Sequence, residues 1–332
     1  MIDTIYLENE ISDHPRVRNV IDHFPQAVII PCERYGEIFN RRSQDFRLQK
    51  QQPALLLARK HDGLVLTTPA GYGIGGTSNY YFSHMLNCIY DCRYCFLQGM
   101  YQSANYVVFV NYEDFADEMR RLAGEQSDTY FFSGYDCDSL AWDQVTGFVD
   151  YFLPVMESLP DAWLELRTKS VQVRALERHA VSEKVIVAFS LAPAAVTDTI
   201  EHKTPSLDSR LDAMVRLARL GWWIGLRFDP LIYFSEYQQA YQDLFRRVFE
   251  TLPLEKIHSV SLGTLRFPKA MFQKMVKLYP EAPVLAGPLL PERGLVSYES
   301  KLQSEMLHFC RNELQQWIAI EKVFDTSDGE LG

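Results

Sequence analysis

Three of the chain's six cysteines fall within eight residues, and this short segment is the part of the sequence best suited to chemistry. They are Cys88, Cys92 and Cys95, in NCIYDCRYCFLQ, with the spacing C-x3-C-x2-C. Thiolates this close together in a cytosolic protein are more often metal ligands than disulfide partners. The segment therefore predicts a metal site.

The kind of metal site depends on the number of ligands. Three thiolates on one loop can hold three irons of a 4Fe–4S cluster and leave the fourth iron open. An open iron suits a small chelating ligand, such as the amino and carboxylate groups of S-adenosylmethionine. Structural zinc is an alternative, although it takes four tetrahedral ligands, usually as two pairs, and Cys32, Cys137 and Cys310 are scattered singly. Three inert cysteines are the third interpretation.

Composition and charge limit the class of protein. The 332 residues include 33 basic and 43 acidic side chains, a net charge of −10, and six cysteines are too few for a disulfide scaffold. The first residues lack the basic and apolar regions of an export signal, and no apolar run approaches the ~20 residues of a membrane helix. We therefore expect a cytoplasmic protein that does not contact a membrane. The acidic balance argues against binding nucleic acid through bulk charge, so such binding requires a local basic groove.

Alternating patterns predict the scaffold that positions the cysteines. Apolar and β-branched runs predict strands at Leu64–Thr68, Thr129–Ser133, Trp163–Leu166, Val185–Leu191, Trp222–Phe228 and Ile257–Leu262. Amphipathic stretches predict helices at Tyr112–Leu122, Trp142–Leu159, Ser206–Leu220, Glu236–Leu252, Lys269–Leu278 and Glu299–Phe324. We expect an α/β fold: a partial (βα)6-type TIM-like barrel over residues 63–290, with an N-terminal extension over 1–62 packed on it and a C-terminal helical segment over 291–332.

The cysteine spacing, with the aromatic Tyr94 before the third cysteine, resembles the radical S-adenosylmethionine superfamily. A finer resemblance to the spore photoproduct lyase family covers residues 60–320. It includes Cys137 with Ser139, which lie 42 and 44 residues after the third cysteine, then Thr168–Lys169 and Phe189–Ser190. Later segments continue in the same order, from the block around Glu201 to GLVSYES and its following helix.

This resemblance implies the cofactors and the residues that hold them. The three clustered cysteines would ligate a 4Fe–4S cluster, and Ser139, Lys169 and Ser190 would contact S-adenosylmethionine. The implied enzyme is a DNA-repair lyase that reverses the thymine–thymine lesion 5-thyminyl-5,6-dihydrothymine through a 5′-deoxyadenosyl radical. Its partners would be DNA and a low-potential electron donor such as flavodoxin or ferredoxin.

The same resemblance implies two catalytic residues. Cys137 would return a hydrogen atom to the product radical, and Tyr94 would help pass the radical back to the cofactor. The neighbouring Asp138 would disfavour the thiolate of Cys137 and so keep its S–H. The family usually has a tyrosine directly after the third cysteine, where this chain has Phe96. Either another tyrosine replaces it, or the cofactor is consumed at each turnover; the nearby candidates are Tyr90, Tyr101 and Tyr135.

Several other features have two interpretations. GYGIGG at residues 71–76 fits the dinucleotide fingerprint G-x-G-x-x-G, but the small-residue helix that should follow is missing. Arg227 and Asp229 form either a buried ion pair or part of a site at a strand end. His84 is better explained as hydrogen-bonded structure than as a metal ligand.

Binding to DNA would need basic and aromatic side chains around the site. The candidate basic residues are Arg41, Arg42, the stretch 47–60, Lys169, Arg266, Lys269 and Arg293. A lesion enzyme must also stack something against displaced bases, for which Tyr298, Phe267 and the segment YFSHMLNCIY are candidates. Two other functions remain open: a radical enzyme acting on a different nucleic-acid or peptide substrate, and a non-catalytic metal-bearing nucleic-acid binding protein.

Overall fold

The structure is a computed structural model and describes residues 2–69 and 71–326. The strands are β1 (Thr4–Glu8), β2 (Val28–Cys32), β3 (Leu55–Ala58), β4 (Leu66–Thr67), β5 (Ser78–Phe82), β6 (Met85–Leu86), β7 (Asp91–Cys92), β8 (Tyr106–Phe109), β9 (Thr129–Ser133), β10 (Ala162–Thr168), β11 (Val185–Ser190), β12 (Glu201–His202), β13 (Trp223–Leu231), β14 (Ile257–Thr264), β15 (Arg266–Pro268), β16 (Leu289–Glu292), β17 (Leu295–Tyr298) and β18 (Val323–Asp325). The α-helices are α1 (Pro15–Ile21), α2 (Gly36–Phe39), α3 (Phe46–Gln51), α4 (Leu97–Met100), α5 (Tyr112–Glu125), α6 (Asp143–Thr146), α7 (Phe148–Ser158), α8 (Arg174–Arg178), α9 (Ala194–Ile200), α10 (Leu207–Leu220), α11 (Tyr237–Thr251), α12 (Lys269–Leu278) and α13 (Ser300–Leu314).

The larger sheet is a curled partial barrel, as predicted. Its strand order is β18-β14-β13-β11-β10-β9-β5-β4, and every neighbouring pair except β4–β5 is parallel. Five of the six predicted strands appear within a few residues of their expected bounds. The strand predicted at Leu64–Thr68 is present only as Leu66–Thr67, and it is antiparallel. The first parallel strand, Ser78–Phe82, was not predicted.

The helices that cover this sheet follow the apolar periodicity of the sequence. In α10 the residues Leu211, Met214 and Leu217 are buried on one face, which is helical spacing. The side chain of Ser206 accepts a hydrogen bond from the amide of Ser209, and Gly221 ends the helix in the left-handed conformation with φ 113°. These two residues cap the helix at its two ends. None of the described helices is long and apolar enough to cross a membrane.

Two predicted helices differ from the structure. The helix expected over Trp142–Leu159 is two helices, α6 and α7, because Gly147 between them takes a left-handed φ of 60°. The helix expected over Glu299–Phe324 ends at Leu314. The chain then forms β18, which pairs in parallel with β14 and adds a seventh parallel strand to the predicted six.

A second sheet joins the N-terminal residues to the segment around the cysteines. Its order is β2-β1-β3-β8-β6, with β3 parallel to β8 and β6 antiparallel to β8. The N-terminal extension is therefore built of strands that share a sheet with residues 85–86 and 106–109. The division of the chain into segments 1–62, 63–290 and 291–332 stays a prediction.

Candidate active site

The cysteine loop connects β6 to α4 and is held by bonds to two other parts of the chain. Before the first cysteine, Asn87 takes a φ of 67°, and its side-chain amide donates to the carbonyls of Ser103 and Asn105 at 2.8 and 2.7 Å. Within the loop, Cys92 pairs with Glu201 between β7 and β12. These bonds hold the loop in position, and none of them involves a metal.

The three cysteines line one cavity at the carboxyl ends of the barrel strands, where active sites of such barrels lie. Burial raises the pKa of the Cys88 thiol to about 12, with the carboxylate of Asp138 adding to the effect. Burial also raises the pKa values of Cys92 and Cys95. A cationic metal centre would offset that cost, because a coordinating thiol is deprotonated.

A cluster and a single metal ion make different demands on the three thiols. Among residues 2–69 and 71–326, no three His, Cys, Asp or Glu side chains are placed to share one metal ion. A single zinc ion takes all its sulfur ligands within about 2.3 Å of one centre. A 4Fe–4S cluster gives each thiolate its own iron, and three thiols facing one cavity fit that requirement.

Two of the three predicted S-adenosylmethionine contacts face the same cavity. Lys169 follows β10 and Ser190 ends β11, and both side chains line the cavity. The Lys169 ammonium lies 5.4 Å from the centre of the Tyr94 ring. Ser139 is different: it is fully buried behind the cavity wall, and its hydroxyl lies 2.7 Å from that of Ser133. The structure therefore does not bring Ser139 to the cavity with the others.

Cys137 lies in the cavity wall together with the three clustered cysteines. Burial raises the pKa of its thiol well above the ordinary value, and the charges of Cys88, Asp136 and Asp138 act in the same direction. The side chain therefore stays a thiol at neutral pH, as expected from its neighbour Asp138. His84 lies behind it, with Nδ1 4.0 Å from Sγ, and burial lowers the pKa of that imidazole to about 3.

Asp138 has a structural role that the sequence did not suggest. Its carboxylate accepts hydrogen bonds from the hydroxyl of Thr168 at 2.6 Å and from the amide of Lys169 at 2.7 Å. It also accepts from the amides of Leu140 and Ala141. Asp138 thus ties the turn that carries Cys137 to the end of β10.

Tyr94 lines the cavity and is held by a buried ionic network. Its hydroxyl donates to Glu201, whose other carboxylate oxygen lies 2.5 Å from the guanidinium of Arg210. Arg210 also donates to the carbonyl of Ser190 at 3.1 Å. The network thus connects the cysteine loop, Tyr94 and the end of β11. The sequence resemblance includes Glu201 without a role, and Arg210 is not among the predicted site residues. A glutamate and an arginine nine residues apart, at the start of a helix, are the sequence signal for this pair.

Aromatic rings form one side of the cavity. Tyr135 lies between Phe96 and Tyr72, with ring centres 5.5 and 6.0 Å apart, and all three line the cavity. Of the other tyrosines that are candidates to replace the missing phenol, Tyr90 lines the cavity, whereas Tyr101 hydrogen-bonds to Asp136 and is not among the described lining residues.

Below the cavity, a buried ionic layer fills the barrel. Arg227 donates two hydrogen bonds to Glu165, at 3.2 and 2.7 Å, and both side chains are fully buried. Arg167 donates to the same carboxylate at 3.0 Å and lines the cavity. Arg227 is therefore an ion-pair residue, but its partner is Glu165. Asp229 lines the cavity instead and accepts from the hydroxyl of Thr326 at 2.9 Å.

The absence of the dinucleotide-binding helix after residues 71–76 is confirmed, because the segment leads into β5. Three of its glycines have positive φ. A Cβ on Gly76 would lie 2.4 Å from the Tyr130 ring. This segment packs closely against the barrel.

Three basic side chains line the cavity, and one of them, Arg167, is paired with Glu165. Arg266 lines the cavity with Arg167 and Lys169, and Arg293 is exposed at the tip of the β16–β17 hairpin. The predicted stacking residues Tyr298 and Phe267 were wrong, since both are buried. The rings available to a base are those on the cavity wall.

The chain is similar in sequence to proteins of known function. A family model described as spore photoproduct lyase matches residues 76–285, more than half of the chain. The spore photoproduct lyase of Bacillus subtilis (strain 168) is 24% identical over 210 residues, which cover 62% of this chain and 61% of that protein. That of Geobacillus sp. is 25% identical over 183 residues, covering 54% and 52%. The alignments thus span about three fifths or less of these relatives.

Solved structures show the same fold over nearly the whole chain. A spore photoproduct lyase variant with bound AdoMet and dinucleoside spore photoproduct has a TM-score of 0.83 and 19% identity, and the match covers 98% of each chain. A complex of spore photoproduct lyase with the dinucleoside spore photoproduct has a TM-score of 0.81 and 18% identity, with the same coverage.

Proposed function

The chain belongs to the spore photoproduct lyase family, and we propose that it is a radical S-adenosylmethionine lyase that reverses 5-thyminyl-5,6-dihydrothymine in DNA. One observation supports this most strongly. The three clustered cysteines and the buried thiol of Cys137 line one cavity at the carboxyl ends of the barrel strands. When bound there, a 4Fe–4S cluster with S-adenosylmethionine supplies a 5′-deoxyadenosyl radical that abstracts a hydrogen atom from the lesion.

The residues around the cavity have distinct roles in this proposal. Cys88, Cys92 and Cys95 hold the cluster. The ammonium of Lys169 holds the carboxylate of S-adenosylmethionine, because it is the cation nearest the loop that faces the cavity. Ser190 adds a polar contact from the end of β11. The role of Ser139 would be indirect, through the wall that its hydrogen bonds support.

Cys137 supplies the hydrogen atom that completes the repair. Its S–H is weaker than most C–H bonds, and the raised pKa keeps the hydrogen on sulfur at neutral pH. Tyr94 passes the radical back toward the cofactor from a phenol position fixed by Glu201. Phe96 has no phenolic hydrogen, so Tyr135 or Tyr90, which share the cavity with Cys137, would take its place.

The substrate would enter along the aromatic and basic side of the cavity. The rings of Tyr72, Tyr135 and Phe96 can stack with thymine faces, and Arg266 can hold a backbone phosphate. DNA and a low-potential electron donor are the partners of this proposal, and the cytoplasm is the expected location.

The test is repair of a synthetic spore-photoproduct dinucleotide by protein reconstituted with iron and sulfide without oxygen. We expect iron–sulfur absorption, formation of 5′-deoxyadenosine with a chemical reductant, and release of the repaired dinucleotide. Retention of 5′-deoxyadenosine formation in Cys92→Ala would refute the cluster assignment. Zinc without iron or sulfide would support the non-catalytic alternative.

The presence of Phe96 in place of the family's usual tyrosine supports a second candidate function. In this candidate, the chain is a radical enzyme of the same family that acts on another nucleic-acid or peptide substrate. Vigorous 5′-deoxyadenosine formation without conversion of the dinucleotide would support that candidate. It would leave the cluster and S-adenosylmethionine assignments in place.

A further inference from the structure

Two opposite charges on different barrel strands face the active-site cavity. Arg167 lies on β10 and Asp229 on β13, and both side chains line the cavity. The radical chemistry of the proposed function uses neither of them. Each is anchored on one side: Arg167 donates from Nε to Glu165 at 3.0 Å, and one carboxylate oxygen of Asp229 accepts from the hydroxyl of Thr326 at 2.9 Å. Their other polar atoms are available to a ligand.

The two side chains are close enough to interact but do not pair. Burial opposes the charge of Arg167, whereas the nearby Tyr72 and Asp229 are among the groups that raise the pKa of its guanidinium. Among the described residues, Asp229 has no ion-pair partner within 4.0 Å, and the terminal nitrogens of Arg167 donate no hydrogen bond. The Arg167 side chain is only 17% exposed. Charged groups withdrawn from water without hydrogen-bond partners are costly, so this arrangement favours a ligand that bonds to both.

Both side chains are held in fixed positions. Glu165, which anchors Arg167, is fully buried, and the Arg167 guanidinium carbon lies 4.8 Å from the centre of the Tyr72 ring. A Cβ on Gly263 would lie 2.8 Å from Oδ1 of Asp229, so the glycine leaves room for that carboxylate. Groups held in this way lose little freedom when a ligand binds, which strengthens binding.

A carboxylate oxygen beside a guanidinium accepts one hydrogen bond and donates another. The imide edge of a thymine ring is complementary, because its N3–H lies between two carbonyl oxygens, and 5,6-dihydrothymine has the same edge. Hydrogen bonds to charged groups are the stronger ones. This edge becomes accessible when a base is displaced from its partner, as enzymes acting on a base require. The rings of Tyr72 and Tyr135 line the same cavity and offer faces on which the base can stack.

We propose that Arg167 and Asp229 form the subsite that recognises the imide edge of one ring of the lesion. Asp229 accepts the hydrogen bond from N3–H, and Arg167 donates to an adjacent carbonyl oxygen. This inference rests on the proposed function, because it assigns the residues that select that substrate. The rival occupant is the adenine of S-adenosylmethionine, whose amino group and ring nitrogen would also bond to a carboxylate and a guanidinium.

The experiment measures binding of synthetic dinucleotides to the reconstituted protein in its oxidised state, by isothermal titration calorimetry. They are the spore-photoproduct dinucleotide and its two forms with a methyl group on N3 of one ring or the other. The wild type should bind one methylated form about thirtyfold more weakly than the unmodified dinucleotide, because the methyl group removes the donor and leaves the carboxylate unpaired. In Asp229→Ala, this ratio should fall below about threefold, because the acceptor is gone.

Two further variants complete the experiment. Arg167→Lys keeps a positive charge beside Glu165 but lacks the planar fork of nitrogens, so it should weaken binding of the unmodified dinucleotide about tenfold. Asp212→Asn changes an exposed aspartate on α10 and is the matched control. It should bind all three dinucleotides as the wild type does.

The wild-type titrations decide the proposal even if a variant fails to fold. Equal affinity of the wild type for all three dinucleotides would overturn the subsite. Unchanged discrimination against the methyl group in Asp229→Ala would also overturn it. If that variant in addition lost binding of S-adenosylmethionine, the carboxylate would belong to the adenine of the cofactor. A wild-type protein that binds none of the dinucleotides would instead refute the proposed function, and the subsite with it.

Discussion

Replacing Glu165 by glutamine tests whether the ionic layer beneath the cavity stabilises the barrel. Glu165 and Arg227 are fully buried and paired at 2.7 Å, and Arg167 binds the same carboxylate. Glu165→Gln removes the negative charge and leaves two guanidinium groups without it. Breaking a buried pair in this way costs about 3–5 kcal/mol of the free energy of unfolding.

The pKa of Glu165 gives a second, independent value for this loss in the free energy of unfolding. Burial alone would raise it, but Arg227 and Arg167 lower it from 4.5 to about 2. At about 1.4 kcal/mol per pH unit between the unfolded and folded pKa values, the charge contributes about 3 kcal/mol. Because the folded pKa is lowered, this stabilisation is complete above pH 4.5 and is lost as the pH falls toward 2.

Urea denaturation at pH 7, followed by tryptophan fluorescence, measures this loss of stability. Glu165→Gln should lower the urea concentration at the midpoint of unfolding and leave the slope m unchanged. The matched control is Glu177→Gln, which breaks the exposed pair with Arg216 at 3.0 Å and should cost less than about 1 kcal/mol. The wild type should also lose stability between pH 4.5 and 2 more steeply than Glu165→Gln. Equal midpoints for the two variants at pH 7 would refute the reasoning.

Three further changes test the site and its supports. Cys137→Ala should still form 5′-deoxyadenosine but lower the yield of repaired dinucleotide more than about tenfold by chromatography; an unchanged yield would exclude Cys137 as the hydrogen donor. Gly99→Ala should cost about 1–3 kcal/mol in urea denaturation, because its Cβ would lie 2.4 Å from the Met271 carbonyl oxygen, whereas Gly124→Ala, with nothing within 4 Å, should not destabilise. Ser206→Ala should cost about 1 kcal/mol by removing the α10 cap, and an unchanged melting temperature would contradict that.

Local features of the sequence predicted most of the barrel. The run Val185–Ser190 is buried at every position, so its composition alone identified β11. The two ends of α10 carry their own signals, because Ser206 and Gly221 act on the adjacent backbone. The candidate cluster site was equally accessible to prediction, because its three cysteines lie within eight residues.

Long-range pairing explains what the sequence did not show. Strand β3 pairs with β8, about fifty residues away, and no local pattern names that partner. The same holds for Arg227 and Glu165, which are 62 residues apart. The sequence also did not predict the direction of individual side chains. Ser139 lies two residues from Cys137, but its hydroxyl lies beside that of Ser133 and not at the cavity.

The cysteine loop lies between two strands of the smaller sheet, and this position bears on whether the chain folds before or after it binds a cluster. The chain leaves that sheet at β6 and returns to it at β8, and both strands are paired through backbone bonds that need no metal. We therefore expect the apoprotein to fold before any cluster binds and to offer a preorganised set of thiols. Zinc fingers differ, since metal binding supplies their folding free energy. Here the free energy of binding a 4Fe–4S cluster would go into its retention, and an apoprotein that had lost the cluster could be reloaded without refolding.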